Sequence, residues 1–545
     1  MDTVADFIYA RRKDKRPGLY YQDQQWTYEE YTHKCCQRAA WLLANRKPGP
    51  FHVGIALGNV PEFAFWAGAC AIAGATMVGL NPTRRGDDMG RDITHTDCAV
   101  VISDSQFLGD GTIPPEPGSG AQLVNIESDS YAQALAFFEH APWPEVNVKP
   151  TDIYCLILTS GTTGAPKAVV CSHGRFAQLS LLVGNAMEIT PASVSYVVMP
   201  WFHANAIYMG WLPALSQGAG VVIGKFSVSG FLPDIRKFGV THFNYVGKPL
   251  AYLLSNQERE NDADTTLRKV VGNEGNVDDI ERFAKRFGCE VYDGYGSTEG
   301  GIFINRISGM PRNALGVSAD ENVKIMDRDT LSVCPRAKFG SHGELLNANE
   351  AIGEIVNTAY AGTFEGYYKN PEAEQKRIYK GIVWSGDLGY QDSEGYFYFA
   401  GRNDDWLRVD GENIAAAQIE QVLVRHAPVM MASVYAIPDP VVGDSAMAAI
   451  QVAKVSDFNI SAFEAFMDGE SDFSSKWKPR FIRISTELPR TATEKVLKRQ
   501  LRVERLDTDE AIWWQAEKHA SYSLMTGPDK ARYSDQLLTR GDRQL

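Results

Sequence analysis

Cysteine is sparse and unpatterned in this chain. Cys35, Cys36, Cys70, Cys98, Cys155, Cys171, Cys289 and Cys334 are scattered over 545 residues, and no Cys-x-x-Cys pair occurs. This spacing argues against a zinc site, and the low density fits a reducing compartment. Positive charge is also short: 54 Lys and Arg stand against 67 Asp and Glu, for a formal net charge of −13. A general nucleic-acid binder needs a basic footprint, so the charge argues against that class. It does not argue against local anion binding, because backbone N–H groups and a few cations suffice to hold a phosphate. A membrane-length apolar run is missing as well. Phe63 to Leu80 has no charged residue, but it is rich in Ala and Gly, holds Cys70 and Thr76, and stops at Asn81-Pro82. It reads as a buried helix running into a strand of a large sheet, not as a transmembrane span. Met1-Asp2-Thr3-Val4-Ala5-Asp6 lacks the charged-then-apolar layout of a signal peptide. A cytoplasmic protein is the expectation. Repeats and low-complexity tracts are absent.

What is present is an ordinary globular balance, 44% hydrophobic and 22% charged, which supports a large core and excludes wholesale disorder. At roughly 150 residues per domain the length implies three or four packed units, some merged into one body. Short apolar runs alternate with helical patterns over the first 400 or so positions. Val53–Leu57, Ala99–Ile102, Ile153–Leu158, Ser195–Met199 and Gly220–Ile223 read as strands. Strands alternating with helices predict an α/β fold, a large body of mostly parallel sheets with helices on their faces. Ligands in such sheets sit at the carboxyl ends of strands. Near residue 400 the character changes. Gly395–Ala400 alternates as a strand, and Gly401-Arg402-Asn403-Asp404-Asp405 makes a polar break. Beyond it lie a strand at Ala432–Ile437 and a helix near Ala416 to His426. The predicted division is a large domain over 1–403 and a small mobile α+β domain over 404–545. The tail after about Asp507 is polar and charged, with Trp513-Trp514 as its only strong anchor.

Four motifs carry chemistry. The first is Thr159-Ser160-Gly161-Thr162-Thr163-Gly164-Ala165-Pro166-Lys167, directly after the apolar run Ile153–Leu158. Its spacing is not that of a Walker A loop, but the logic is shared. Hydroxyls come from Thr159, Ser160, Thr162 and Thr163. Gly161 and Gly164 let backbone N–H groups approach a phosphate, and Lys167 adds a positive charge. The plainer alternative is a polar turn between a strand and a helix. The second is Tyr292-Asp293-Gly294-Tyr295-Gly296-Ser297-Thr298-Glu299-Gly300. Tyr295 suits stacking on a base, Thr298 a phosphate contact, and Glu299 is a hard oxygen ligand for Mg²⁺. The third is Trp384-Ser385-Gly386-Asp387-Leu388-Gly389 with Gly401-Arg402. Asp387 suits two ribose hydroxyls, against the alternative of a Gly-Asp turn. The fourth is Leu488-Pro489-Arg490-Thr491-Ala492-Thr493-Glu494-Lys495. By itself Lys495 is an ordinary solvated charge.

In this order and at these distances the four resemble the adenylate-forming superfamily of acyl-CoA synthetases, adenylation domains and luciferases, over essentially the whole chain to about residue 505. Met199-Pro200-Trp201-Phe202-His203-Ala204-Asn205, Phe243-Asn244-Tyr245-Val246-Gly247 and Gly411-Glu412-Asn413 look like the fatty-acid and steroid- or bile-acid CoA ligases. The resemblance implies ATP, Mg²⁺ and coenzyme A as reactants and cofactors, with a bulky hydrophobic carboxylic acid as substrate. It implies acyl-adenylate formation followed by transfer to coenzyme A. Carried over, 159–167 holds the β- and γ-phosphates, Thr298 touches the α-phosphate, and Glu299 with Thr163 holds Mg²⁺. Gly272, Asn273, Glu274 and Tyr295 flank adenine, joined by Asp293, Gly294 and Gly296. Asp387 and Arg402 take the ribose, and Lys495 neutralises charge at the reacting centre. Trp201, His203, Asn205, Tyr245 and Gly294 belong to the acyl pocket, with His203 as its gate. Gly411 and Glu412 line the pantetheine tunnel, and Asp404 is the hinge.

Each assignment has a plainer competitor. His203 also fits a core histidine, Trp201 packing, Glu274 a helix cap and Gly411 a turn. Two residues depart from the family pattern, Ala168 and Glu494, where glycine is usual. A carboxylate at 494 beside a triphosphate repels it, by up to ~4 kcal/mol at about 4 Å and a near-surface dielectric. That leaves open an enzyme that mainly performs the second half-reaction. A stand-alone loader of a carrier protein is another alternative, with Gly443-Asp444-Ser445 superficially like a carrier attachment site. An inactive binding protein on the same fold is a third. Retention of Lys495, Glu299 and Asp387 argues against it. The oligomeric state stays open, a homodimer included.

Overall fold

The computed structural model describes residues 1–539 apart from 118–119, 160–165, 341–344, 360–363, 403–405, 410–411, 440–442, 471–472, 474–476, 491–495 and 518–519, and backbone alone at 402, 406–409, 412–415, 443–444 and 537–539. The chain forms two compact units, Met1–Gly301 with Tyr360–Lys376, and Ile302–Ala359 with Arg377–Leu545.

The first unit is built on two sheets. One has the order Gln122–Asn125, Cys98–Ser103, His52–Ala56, Thr76–Gly79, Ile153–Thr159, Lys167–Ser172. Its pairs are parallel except the last, where Lys167–Ser172 returns antiparallel to Ile153–Thr159. Every residue of His52–Ala56 and Thr76–Gly79 is buried, which is why these strands are continuous rather than alternating in hydrophobicity. The apolar stretch after residue 60 forms the helix Pro61–Ala73, started by its proline and ended by Gly74 at φ 65°. It runs through a buried core into the strand Thr76–Gly79, as its composition predicts. No helix among the described residues is long and apolar enough to cross a membrane. The other sheet of this unit runs Glu290–Tyr295, Lys269–Asn273, His242–Val246, Val194–Val197, Gly220–Ile223, Pro17–Tyr21, Gln24–Thr27. All of its pairs except the last are parallel.

The second unit contains an antiparallel sheet of Val323–Met326, Gly353–Asn357, Ile382–Gln391 and Phe397–Arg402, with the short strand Ile378–Tyr379 beside Ile382–Gln391. The last long strand starts two residues later than its alternation suggests. The turn closed by Gly395 N–H on the Asp392 carbonyl, with Gly395 at φ 95°, takes up its beginning. A mixed sheet follows, Val429–Asp439, Gly443–Val452, Phe481–Ser485, Ala511–Trp514, Ser523–Leu524. Period-two alternation gives it two cores. Val434, Ala448 and Ile482 face Ile419, Leu423 and Phe463 on one side. Tyr435, Met447 and Phe481 share the other with Leu501, Trp514 and Tyr533.

The tail departs from the sequence expectation. Trp513-Trp514 lies in a strand antiparallel to Phe481–Ser485. The helix Gly527–Thr539 adds a second anchor, Tyr533, 2% exposed and 5.2 Å from the Phe481 ring. Its few apolar residues are too widely spaced in a charged segment to register as a pattern. Ser445 also differs from a carrier attachment site. It lies near the start of the strand Gly443–Val452, is 4% exposed, and donates to the Asp439 carboxylate.

Candidate active site

The strand Ile153–Thr159 runs parallel to Thr76–Gly79, so the loop after Thr159 leaves from the carboxyl end of the parallel sheet. The loop residues Ser160, Gly161, Thr162, Thr163 and Gly164 lie outside the described residues. Its two ends do not: Thr159 pairs with Lys167, and the Thr159 hydroxyl donates to the Lys167 carbonyl at 3.4 Å. The loop therefore closes a hairpin rather than joining a strand to a helix. The helix His173–Ala186 comes only after the return strand, capped by Ser172. Ala168, one of the departures, is fully buried in the core with Leu156 and Leu158. Its methyl group is absorbed by packing in that core.

A distant segment is strapped onto this hairpin. Tyr367 bridges Val169, the Val170 N–H donates to the Gly366 carbonyl at 3.0 Å, and the Tyr368 N–H donates to the Ala168 carbonyl at 2.8 Å. Glu365 accepts the Ser172 N–H at 2.6 Å and its hydroxyl at 2.5 Å. The Tyr367 hydroxyl donates to Glu299 Oε1 at 2.8 Å, and Lys167 Nζ lies 5.2 Å from the centre of the Tyr367 ring. Arg175, in the first turn of the helix, donates to the Thr298 carbonyl at 2.6 Å. Burial works against its charge, but Tyr208, Cys171, Glu365 and Glu299 around it outweigh that and raise its pKa. Burial also pushes the Cys171 thiol up to about 11, which leaves it protonated and unreactive. Lys167, Thr298 and Glu299 are thus brought together as the motifs suggest. Arg175, Glu365 and Tyr367 were not legible: the Tyr367–Glu299 contact spans 68 positions and Arg175–Thr298 spans 123.

Three sequence segments meet in the other sheet through strand register. Tyr245 pairs with Gly272 and Gly272 with Asp293, while Val246 pairs with Asn273 and Asn273 with Gly294. The Tyr245 hydroxyl donates to Asp293 Oδ2 at 2.6 Å, and the Gly275 N–H donates to the same oxygen at 3.0 Å. Asn273 Nδ2 donates to the Gly294 carbonyl at 2.9 Å. Glycine is required at 272 because a Cβ there would lie 2.5 Å from the Tyr245 ring. Glu274 has φ 62°, a conformation costly for a residue with a Cβ. Tyr295 is half-buried beyond this point, and Gly296 is exposed.

Of the acyl-pocket candidates, Asn205 is bonded to the same strand. Asn205 Nδ2 donates to the Tyr245 carbonyl at 3.1 Å, and Asn244 Nδ2 donates to Asn205 Oδ1 at 2.7 Å. Trp201 is 1% exposed between Phe63 and Trp211. His203 is half-buried with its ring 4.5 Å from Phe202. A π-helical turn, Ala206–Trp211, follows. It places the Tyr208 hydroxyl 3.5 Å from Cys171 on the hairpin's return strand, joining the two groups of candidate residues.

In the second unit Asp387 is largely buried on the strand Ile382–Gln391, opposite Arg402. Gly386 precedes it at φ 77°, and the Gly386 N–H donates to Glu354 at 2.6 Å. The Arg402 side chain, Asp404, Gly411, Glu494 and Lys495 lie outside the described residues. Glu412, described in its backbone, pairs with Val409.

The donor set suits Mg²⁺ delivered with a nucleotide. Among the described residues no group of three or more His, Cys, Asp or Glu is placed to hold a metal. Glu299 is a single carboxylate steadied by a neutral hydroxyl. Mg²⁺ commonly binds through one or two carboxylates plus phosphate oxygens and water.

Known proteins match this chain throughout. The AMP-binding enzyme family is matched over residues 8–368 and the AMP-binding enzyme C-terminal domain over 418–495. A steroid-22-oyl-CoA synthetase of Rhodococcus jostii is 42% identical over 546 residues, covering 100% of this chain and 98% of that protein. A medium/long-chain fatty acid–CoA ligase of Mycobacterium marinum is 43% identical over 498 residues, covering 91% and 95%. ATP-bound MatB from Rhodopseudomonas palustris shares the fold with a TM-score of 0.78 at 21% identity, over 92% of this chain and 98% of that one. The chain belongs to the AMP-binding enzymes and, within them, to the acyl-CoA synthetases.

Proposed function

We propose that the enzyme activates a bulky hydrophobic acid of the steroid side-chain or medium-to-long-chain fatty acyl class. The observation that carries the nucleotide half is the meeting of Lys167, Thr298 and Glu299 at the carboxyl end of Ile153–Thr159. The acyl half is supported by the buried aromatic side chains of Trp201 and Tyr245 and by the two full-length relatives, a steroid-22-oyl and a medium/long-chain fatty acyl ligase.

In the first half-reaction a carboxylate oxygen of the acid attacks the α-phosphorus of ATP. The bond to the β,γ-diphosphate breaks, and pyrophosphate leaves. In the second, the sulfur of coenzyme A attacks the acyl carbon, the thiol proton is lost, and AMP departs with the electron pair. The protein orients the reactants and stabilises charge as it develops. Lys167 and the loop N–H groups take the β- and γ-phosphates. Thr298 meets the α-phosphate, and Glu299 and Thr163 hold Mg²⁺, which when bound neutralises phosphate charge. Gly272 to Glu274 and Tyr295 flank adenine, and Asp387 with Arg402 receives the ribose. Asp293, with its Oδ2 engaged by Tyr245 and Gly275, acts by shaping this wall. Lys495 neutralises charge at the reacting carboxylate, and His203 gates the acyl pocket. Gly411 and Glu412 border the path of pantetheine.

In this reading 1–403 is the ATP- and acyl-binding body and 404–545 the small domain, turning at Asp404. The eight unbridged thiols fit a cytoplasmic setting. The alternatives of a carrier loader or an enzyme confined by Glu494 to the second half-reaction draw no support from the full-length relatives.

The test is kcat/KM for acyl-CoA and AMP formation over steroid side-chain acids and fatty acids of graded length. Best turnover of a short or polar acid, or no thioester with any acid in the panel, would overturn the assignment.

A further inference from the structure

Glu299 is steadied from an unexpected direction. Its Oε1 accepts the hydroxyl of Tyr367 at 2.8 Å, and the same ring lies beside the Lys167 ammonium at 5.2 Å. Tyr367 is 6% exposed, so its position is set by the protein rather than by solvent. The backbone bonds on either side, Val170 N–H to Gly366 and Tyr368 N–H to Ala168, leave it little room to move. Glu365 fastens the start of the strap to Ser172. One buried ring therefore touches a cation at the mouth of the phosphate loop and a carboxylate beyond the strand Glu290–Tyr295.

We propose that Tyr367 is a positioning residue that presents Glu299 to the Mg²⁺ of Mg²⁺·ATP. The inference rests on the reading of Glu299 and Lys167 given above. A phenol is suited to this task. Its O–H fixes the carboxylate rotamer without adding charge. A lysine or arginine in its place would also hold the carboxylate, but would compete with the divalent cation. The contact between its ring and Lys167 lets one side chain set both partners of the triphosphate.

The experiment uses the full-length enzyme, fluorescent mant-ATP and a Mg²⁺ titration, with no acid present. Tyr367→Phe is expected to raise the Mg²⁺ concentration for half-maximal binding about fivefold, the factor that the net contribution of one hydrogen bond converts to, and to leave Mg²⁺-free mant-AMP binding unchanged. Glu299→Gln should raise it further, and adding Tyr367→Phe to that variant should change nothing more. If Glu299→Gln shifts the titration and Tyr367→Phe does not, the inference is wrong. Equal weakening of mant-ATP and mant-AMP by Tyr367→Phe would make the tyrosine a mere strut and also overturn it. If Glu299→Gln itself leaves the titration unmoved, the underlying reading of Glu299 falls instead.

Discussion

Arg175 and Glu274 show how single residues carry the site. The Arg175 guanidinium holds the carbonyl of Thr298 and so sets the backbone from which Glu299 projects. A charge-assisted hydrogen bond of this kind contributes about 1.5–3 kcal/mol, so Arg175→Met should lower kcat/KM for ATP about 10- to 100-fold. Arg175→Lys should not restore it, because an ammonium cannot reach Val170, Cys171 and Thr298 with one fork. Steady-state kinetics on the folded variants checks both. Glu274 makes the opposite trade. At φ 62° it holds a conformation that glycine adopts freely. Glu274→Gly should gain up to about 1 kcal/mol of stability while raising KM for ATP, since strain of this kind persists where function needs the side chain. Urea denaturation and ATP saturation curves read the two effects separately. A variant both less stable and normal in KM would refute the trade.

At the scale of elements, the tail is part of the small sheet rather than an appendage. Ala511–Trp514 pairs with Phe481–Ser485, and Tyr533 fills the space between Phe481 and Trp514 while its hydroxyl donates to the Pro438 carbonyl at 3.0 Å. Removing a buried aromatic side chain costs about 3–5 kcal/mol. Tyr533→Ala should therefore lower the stability of the second unit by that order, and Tyr533→Phe by only about 1 kcal/mol for the lost hydrogen bond. Hydrogen exchange on Phe481–Ser485 would locate the loss. Unchanged protection there in Tyr533→Ala would show that the helix Gly527–Thr539 does not brace the sheet.

For the molecule as a whole, acid sensitivity has an identifiable source in His173. Its side chain is fully buried beside Tyr154, and among the described residues neither ring nitrogen has a hydrogen-bond partner. Burial lowers its pKa from 6.5 to about 4, against the opposing pull of Asp152 and Asp6. Above pH 6.5 the imidazole is neutral folded and unfolded, and it contributes no pH dependence. Below that the unfolded chain takes up a proton that the folded one refuses until about pH 4. Stability should fall across this window by about 1.4 kcal/mol per pH unit, roughly 3 kcal/mol in all. His173→Phe should flatten the acid limb between these values. An unaltered limb would assign the sensitivity elsewhere.

The chemistry-bearing strings were legible because each is contiguous. An apolar strand followed by glycines, hydroxyls and a lysine marks the loop from Thr159 to Lys167, though not the hairpin it closes, and the order of the four motifs resembles that of adenylate-forming enzymes. The run from Phe63 to Leu80 likewise declared a buried helix and strand by composition alone. Tertiary structure decided what those strings touch. Only strand order sets Tyr245, Gly272 and Asp293 side by side. Only the strap brings Tyr367 to Glu299, and only the helix after the hairpin brings Arg175 to Thr298. Local periodicity reports which face of an element is buried, but contacts spanning 68 or 123 positions leave no trace in it.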